Sequence, residues 1–254
     1  MLLAVAVENT RTLVGLIDDG TVERHWWVGT DSRRTADEWA VLLGGLLAGE
    51  PAVSGVALCS AVPHVLHELR DVVARYYSEV PSVVVEPGVK TGLPVLVDNP
   101  REVGTDRIAN ALAAVHRYGA PCIIADFGTA TTVDVVNANG AFIGGAIAPG
   151  IETAVDALGI TAAQLRRVEL VRPRAVVAKN TVEALQSGAI FGFAALVDGL
   201  ITRILTEQSL DPATVTVVAT GALAPLVVAE SHQINHHEPY LTLQGLHQAF
   251  TRNH

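Results

Sequence analysis

The chain has 254 residues, half of them hydrophobic, which suffices for one large domain or two lobes with a substantial core. A net charge of −9 and a pI of about 5.4 argue against nucleic acid or an anionic membrane as the main partner, and leave open a small anionic ligand in a locally basic pocket. Mean hydropathy is high at +0.37, yet no run of about 18 apolar residues lacks a charge or a turn signal, so no membrane span is expected.

Residues 2–7 read as a buried strand; they are too short for a signal peptide and carry no basic segment, which makes the cytoplasm the expected location. A strand at 12–17 follows, then the Asp18-Asp19-Gly20 turn and a third strand carrying Trp26 and Trp27, one of which should face the core. Next come a helix at 35–48, a strand at 54–59, a helix at 64–77, a strand at 82–85 and a helix at 101–118. Gly119-Ala120 marks the expected boundary between two closely packed lobes, 1–119 and 120–254. The second lobe has strands at 121–125, 132–136 and 141–148, with turns at Asn139-Gly140 and Pro149-Gly150. A long apolar helix at 182–206, a strand at 214–219 and a helix at 242–251 end the chain. Strands alternating with helices predict an α/β fold with buried sheets. Cys59 and Cys122 lie in strand-like runs and read as free buried thiols.

An internal repeat is the most informative feature. Residues 4–22 and 124–142, offset by 120, both read strand, polar tight turn, strand, hairpin turn, strand; Thr12 falls on Thr132 and Gly20 on Gly140. Duplicated units of this kind form the phosphate-holding core of actin- and hexokinase-like folds, in which the two turns face each other across a cleft. In the second turn, Asp126-Phe127-Gly128-Thr129, a glycine permits close approach of a phosphate, Thr hydroxyls can bond its oxygens, and Asp126 can hold a cation. An ordinary Asx-type turn explains a lone motif of this kind equally well. The first turn differs: Ala6 falls opposite Asp126 and Glu8 opposite Gly128, with Asn9 and Thr10 as hydrogen-bonding groups. Glu8 could swing in as the missing carboxylate; the simpler expectation is that it points to solvent or repels a phosphate.

Residues 86–110 open as a Gly/Pro loop and end in a helix, for which Asp98-Asn99-Pro100 suits an N-cap with Pro at the first position. Gly104-Thr105-Asp106-Arg107 then sets an acid beside a guanidinium: Asp106 can take a proton from a hydroxyl and Arg107 can fix a carboxylate or phosphate, although exposed helices carry such pairs without function. Thr181 is a good N-cap for the helix at 182–206, and that helix start also offers N–H donors to a ligand. Ala219-Thr220-Gly221 ends a strand in a manner suited to an adenosine or phosphate. His232, His236, His237 and His247 match no strong zinc spacing and read as a solvated segment.

Together these segments resemble the type III pantothenate kinases over essentially the whole chain. The motifs are the first turn at 6–12, E-P-G-V-K-T-G at 86–92, D-N-P-R-E-V-G-T-D-R at 98–107, D-F-G-T-A-T-T at 126–132, G-G-A-I-A-P-G at 144–150, K-N-T at 179–181 and A-T-G at 219–221. The resemblance implies a duplicated ribonuclease-H-like fold of two lobes: 1–119 with the first phosphate turn and substrate loop, 120–254 with the second turn and adenosine segment. It implies ATP-dependent phosphorylation of pantothenate to 4′-phosphopantothenate, the first step of coenzyme A biosynthesis. Asp106 would be the general base; Gly104, Thr105, Arg107 and Thr181 would help hold pantothenate. Ala6, Val7, Glu8, Asn9, Thr10, Arg11, Thr12 and Leu13 would cradle the phosphates of ATP and its Mg2+, with Thr129 and Gly221 also on the nucleotide. Asp126 would hold a monovalent cation, K+ or NH4+. A homodimer is implied, and the helix at 182–206, apolar on more than one face, is the expected contact.

The departure lies in the first turn, where the family pattern D-x-G-N-T stands as Ala6-Val7-Glu8-Asn9-Thr10. A catalytically inactive homologue that binds or regulates, and a kinase for another hydroxy acid, are the alternatives to a pantothenate kinase.

Overall fold

The computed structural model describes residues 1–86, 88–161 and 168–254; Pro87 of the 86–92 motif lies outside them. The chain forms two compact units, Met1–Arg117 with Tyr240–His254, and Tyr118–Pro239.

The first unit is built on β1 (Leu2–Val7), β2 (Arg11–Asp18), β3 (Thr21–Gly29), β4 (Gly55–Ser60) and β5 (Ser82–Val84), in sheet order β3-β2-β1-β4-β5. All six residues of β1 are buried because both faces of the sheet are covered. Leu3, Val5 and Val7 meet Trp39 and Leu43 of α1 (Ala36–Leu46) and Leu69 and Val72 of α2 (Pro63–Tyr76). Leu2, Ala4 and Ala6 share the opposite layer with Leu112 of α3 (Thr105–Tyr118) and with Leu243, Leu246 and Ala249 of α7 (Leu241–Asn253). Trp26 packs against the first layer while Trp27 is 38% exposed, as alternation requires.

The second unit repeats the plan. Here β6 (Cys122–Phe127), β7 (Ala130–Val136), β8 (Phe142–Pro149), β9 (Thr216–Thr220) and β10 (His236–His237) run in order β10-β9-β6-β7-β8. Helices α4 (Ile151–Thr161), α5 (Thr181–Glu207) and the short α6 (Ala224–Val227) complete it. α5 is long and apolar enough to cross a membrane by length and composition. It instead buries Ala194, Val197, Ile201 and Leu205 against Ile123, Ala125 and Phe127 of the sheet.

Strand pairing shows how close the repeat is, and where it slips. Ala6 pairs with Leu13 and with Cys59; Asp126 pairs with Thr132 and with Thr220. The offset of 120 therefore holds for β1 and β6. Across the turn it does not: Val7 faces Thr12, whereas Phe127 faces Thr131, so Thr12 corresponds to Thr131 and not to Thr132. The cause is turn length, since Glu8, Asn9 and Thr10 join the first pair of strands but only Gly128 and Thr129 join the second. The β-bulges at Leu16/Ile17 and Val135/Val136 match under the slipped register. Gly20 and Gly140 both adopt positive φ, at 81° and 73°.

The unit boundary falls at Arg117/Tyr118, beside the expected Gly119-Ala120, but α7 belongs to the first unit. Its apolar stripe is buried under β1 rather than against the second sheet. Gly245 makes this possible: a Cβ there would sit 1.9 Å from the Ala109 carbonyl oxygen of α3. Gly245→Ala is expected to cost about 1–3 kcal/mol of stability, read as a lower denaturant midpoint, because the obstacle is backbone and cannot rotate away.

Candidate active site

In the first unit the site lies where β1, β4 and the start of α3 meet. Val7 pairs with Ser60, Ala61 N–H donates to Val7 O (2.9 Å), and Thr105 Oγ1 donates to Ser60 O (3.4 Å). α3 starts later than periodicity suggests. Asn99 and Pro100 do cap a turn, but it is a 3₁₀ turn ending at Glu102, after which Val103 is extended. Thr105 is thus the first residue of α3, and Ile108 N–H bonds back to Gly104 O (3.2 Å). Asp106 folds over Gly104 so closely that a Cβ at 104 would lie 2.4 Å from Asp106 Oδ1. The glycine is what leaves room for that carboxylate. Arg107 follows on the same turn of α3.

Of the predicted phosphate residues, Ala6, Val7 and Leu13 have their side chains in the core. Thr12 is buried and shares a hydrogen bond with Thr30 (2.8 Å between hydroxyls). Asn9 and Thr10 are exposed, and Arg11 is half-buried. The turn is held by Glu8 N–H to Arg11 O (2.9 Å) and Thr30 N–H to Thr10 O (3.0 Å).

Glu8 departs from expectation. Instead of turning to solvent it is half-buried, and burial together with the neighbouring Asp106 carboxylate raises its pKa to about 7, against the opposing pull of Arg11. The reason is strand parity: residues two apart share a face, so Glu8 continues the side of Ala6, toward α3. Cys59 completes this cluster; burial, then Asp106 and Glu8, push its thiol far up, which makes it inert. The alternation of β4, read against that of β1, was the signal for Cys59. Because the folded-state pKa of Glu8 lies above its ordinary value, the stability it contributes is present in acid and lost as pH rises through about 7. Glu8→Gln should therefore stabilise the protein at pH 8 by about 3 kcal/mol and have little effect at pH 4, below the ordinary carboxyl value, as measured by denaturant unfolding at the two pH values.

In the second unit three motifs converge on the turn after β6. Gly128 N–H donates to Ala130 O (3.0 Å). Gly150 N–H and Thr153 Oγ1 both donate to Thr129 O (3.1 and 2.9 Å), which docks the start of α4 on the turn. Leu223 N–H donates to Phe127 O (3.1 Å), bringing in the A-T-G segment. Gly221, at φ 95°, lies so close that a Cβ would meet Asp126 Oδ1 at 2.5 Å and Phe127 N at 2.6 Å. A half-buried carboxylate in such a cradle suits a hard cation. Among the described residues no group of three His, Cys, Asp or Glu side chains forms a metal cage.

Thr181 is the exposed first residue of α5, and Asn180 takes the capping role expected of it, accepting from Glu183 N–H (2.9 Å). Sequence reasoning missed Asp134, a carboxylate 1% exposed within β7 that accepts from Thr132 Oγ1 (3.2 Å). Its alternation with Thr132 was the available sign.

A family model described as type III pantothenate kinase matches residues 2–203. Over the full chain, curated type III pantothenate kinases are similar at 59% identity (Nocardia farcinica), 57% (Streptomyces avermitilis) and 52% (Thermobifida fusca). These matches cover 98%, 98% and 100% of those proteins. Among solved structures, a ROK family glucokinase from Streptomyces griseus, in complex with glucose and AMPPNP, superposes with a TM-score of 0.55 at 12% identity, covering 99% of both chains. An inorganic polyphosphate/ATP-glucomannokinase from Arthrobacter gives 0.54 at 14% identity, over 100% of this chain and 99% of that one. At such identities these structures establish the fold alone, the duplicated ribonuclease-H-like architecture of the actin/hexokinase type. With 52–59% identity to the curated relatives across its whole length, the chain belongs to the type III pantothenate kinase family.

Proposed function

We propose that this protein transfers the γ-phosphoryl group of ATP to the 4′ hydroxyl of pantothenate, and that Asp106 accepts the hydroxyl proton. The full-length similarity to named pantothenate kinases carries the reading. The geometry supports it: beside Thr105 lies a cavity of about 240 Å³ lined by Val85, Val89, Leu93, Val103 and Ile108. Pantothenate carries a geminal dimethyl group next to its reactive hydroxyl, and a largely apolar pocket lined by Thr105, the residue before Asp106, suits that group. Gly104, Thr105, Arg107 and Thr181 are proposed to hold this substrate. The exposed Asn9 and Thr10, the backbone of residues 6–13, Thr129 and Gly221 are proposed for the nucleotide. Asp126 would hold a K+ or NH4+ ion, which offsets negative charge at the phosphates. Phosphoryl transfer needs little more from the protein than such positioning and charge neutralisation. A cytoplasmic homodimer joined through α5 completes the reading.

The test is ADP release from purified protein with ATP, Mg2+, K+ and pantothenate. Release that requires pantothenate, and that other hydroxy acids do not support, is the expected result. Release with another acid alone would redirect the assignment, and none with any acid would overturn it.

A further inference from the structure

The loop that walls the cavity beside Thr105 has little structure of its own. Residues 88–95 are tied internally by Val89 N–H to Glu86 O (3.1 Å), Thr91 N–H to Val89 O (2.9 Å) and Leu93 N–H to Thr91 Oγ1 (3.3 Å). Leu93 is buried, whereas Gly88, Lys90 and Gly92 are exposed. Val89, packed against the core layer shared by β1 and α7, and Leu93 anchor the loop by their side chains, while the exposed backbone between them leans on polar contacts from outside.

Those contacts come from both ends. At the entry, Arg70 of α2 ion-pairs with Glu86. At the exit, the last turn of α7 lies over the loop. Asn253 Nδ2 donates to Lys90 O (3.1 Å) and to Ala249 O (2.7 Å), so one amide links the loop to the helix end. Arg252 lies against Gly92, where a Cβ would sit 2.4 Å from Nη1 and 2.8 Å from Cζ. Gly92 has φ 72°, a conformation that glycine adopts without strain, and its bare Cα lets the guanidinium approach. α7 is in turn fixed in the core by Leu243, Leu246 and Ala249. A rigid helix thus ends in two polar side chains on the cavity wall, Asn253 bonded to Lys90 O and Arg252 lying against Gly92. The family model stops at residue 203, well before this helix.

We infer that Arg252 and Asn253 are positioning residues, which set the width of the cavity beside Thr105 and thereby the affinity for the acid substrate. The inference rests on the function proposed above. Neither residue is assigned any contact with the reacting atoms, so loss of these contacts should weaken substrate binding without slowing phosphoryl transfer.

Arg252→Ala, Asn253→Asp and the double variant test this. Asp is close in size to Asn but offers a carboxylate where a carbonyl needs a donor. The KM for pantothenate should rise about tenfold in the double variant, while kcat and the KM for ATP stay within about twofold. A second readout needs no turnover: trypsin should cut after Lys90 faster in the variants than in the parent, at an unchanged thermal midpoint. Parent-like KM values and Lys90 cleavage in the double variant overturn the inference and leave the kinase assignment standing. Absence of pantothenate turnover in the unaltered protein overturns the assignment itself, and with it the substrate role given to these contacts.

Discussion

Asp106→Asn is expected to lower kcat for pantothenate phosphorylation by about 10²–10⁴-fold, the usual contribution of a positioned general base. Asn keeps the shape that Gly104 accommodates but cannot accept the hydroxyl proton. The Thr105 bond to Ser60 would survive, and with it the start of α3, so the fold should hold, and relief of the repulsion between Asp106 and Glu8 should if anything raise stability above pH 7. The KM for ATP should also hold, because Asp106 is assigned to the acid substrate. Steady-state kinetics in both substrates, with a thermal melt beside them, check all three expectations. A variant that retains parental kcat would remove Asp106 from the chemistry.

Restoring an acid at the first strand end is the second large effect. Ala6 stands in the same register as Asp126, each one pair from the end of its strand, yet one is a buried methyl and the other a carboxylate. Ala6→Asp alone would add a third carboxylate beside Glu8 and Asp106, and their mutual repulsion would keep one of them protonated. The informative variant is therefore the pair Ala6→Asp with Glu8→Gly. If the strand-end carboxylate helps place the metal and phosphates, kcat/KM for ATP should rise by about 10²–10³, or about 3–4 kcal/mol of transition-state stabilisation. An unchanged or lower value would mean that Glu8 already serves the turn from its position two residues on.

Much of this architecture is written in local pattern. The runs at 2–7 and 12–17 became β1 and β2 almost to the residue, because burial on both faces demands continuous apolar strands. The repeat was legible because the two hairpin turns need glycine at positive φ, which fixes Gly20 and Gly140. D-F-G-T, A-P-G and A-T-G were visible as motifs, and they do meet at one turn. What stayed hidden depends on contacts distant in sequence. The place of α7 turns on Gly245 meeting Ala109, which no local signal encodes. The slip between Thr12 and Thr132 arises from one extra residue in a turn that sequence comparison passes over. The burial of Glu8 follows from strand parity carried one step beyond the strand, together with the unforeseen neighbour Asp106.

The return of α7 has a consequence for how the protein is made. Everything from Tyr118 to Pro239 leaves the ribosome before the helix that closes the first unit. The second unit is contiguous and can complete itself during synthesis, whereas the first must wait with the α7 face of β1 uncovered, Ala4 and Ala6 included. The unit translated first is thus the last to be finished, and it holds the proposed base and the substrate loop. A chain interrupted before residue 240 therefore carries a contiguous second unit and an unfinished first one.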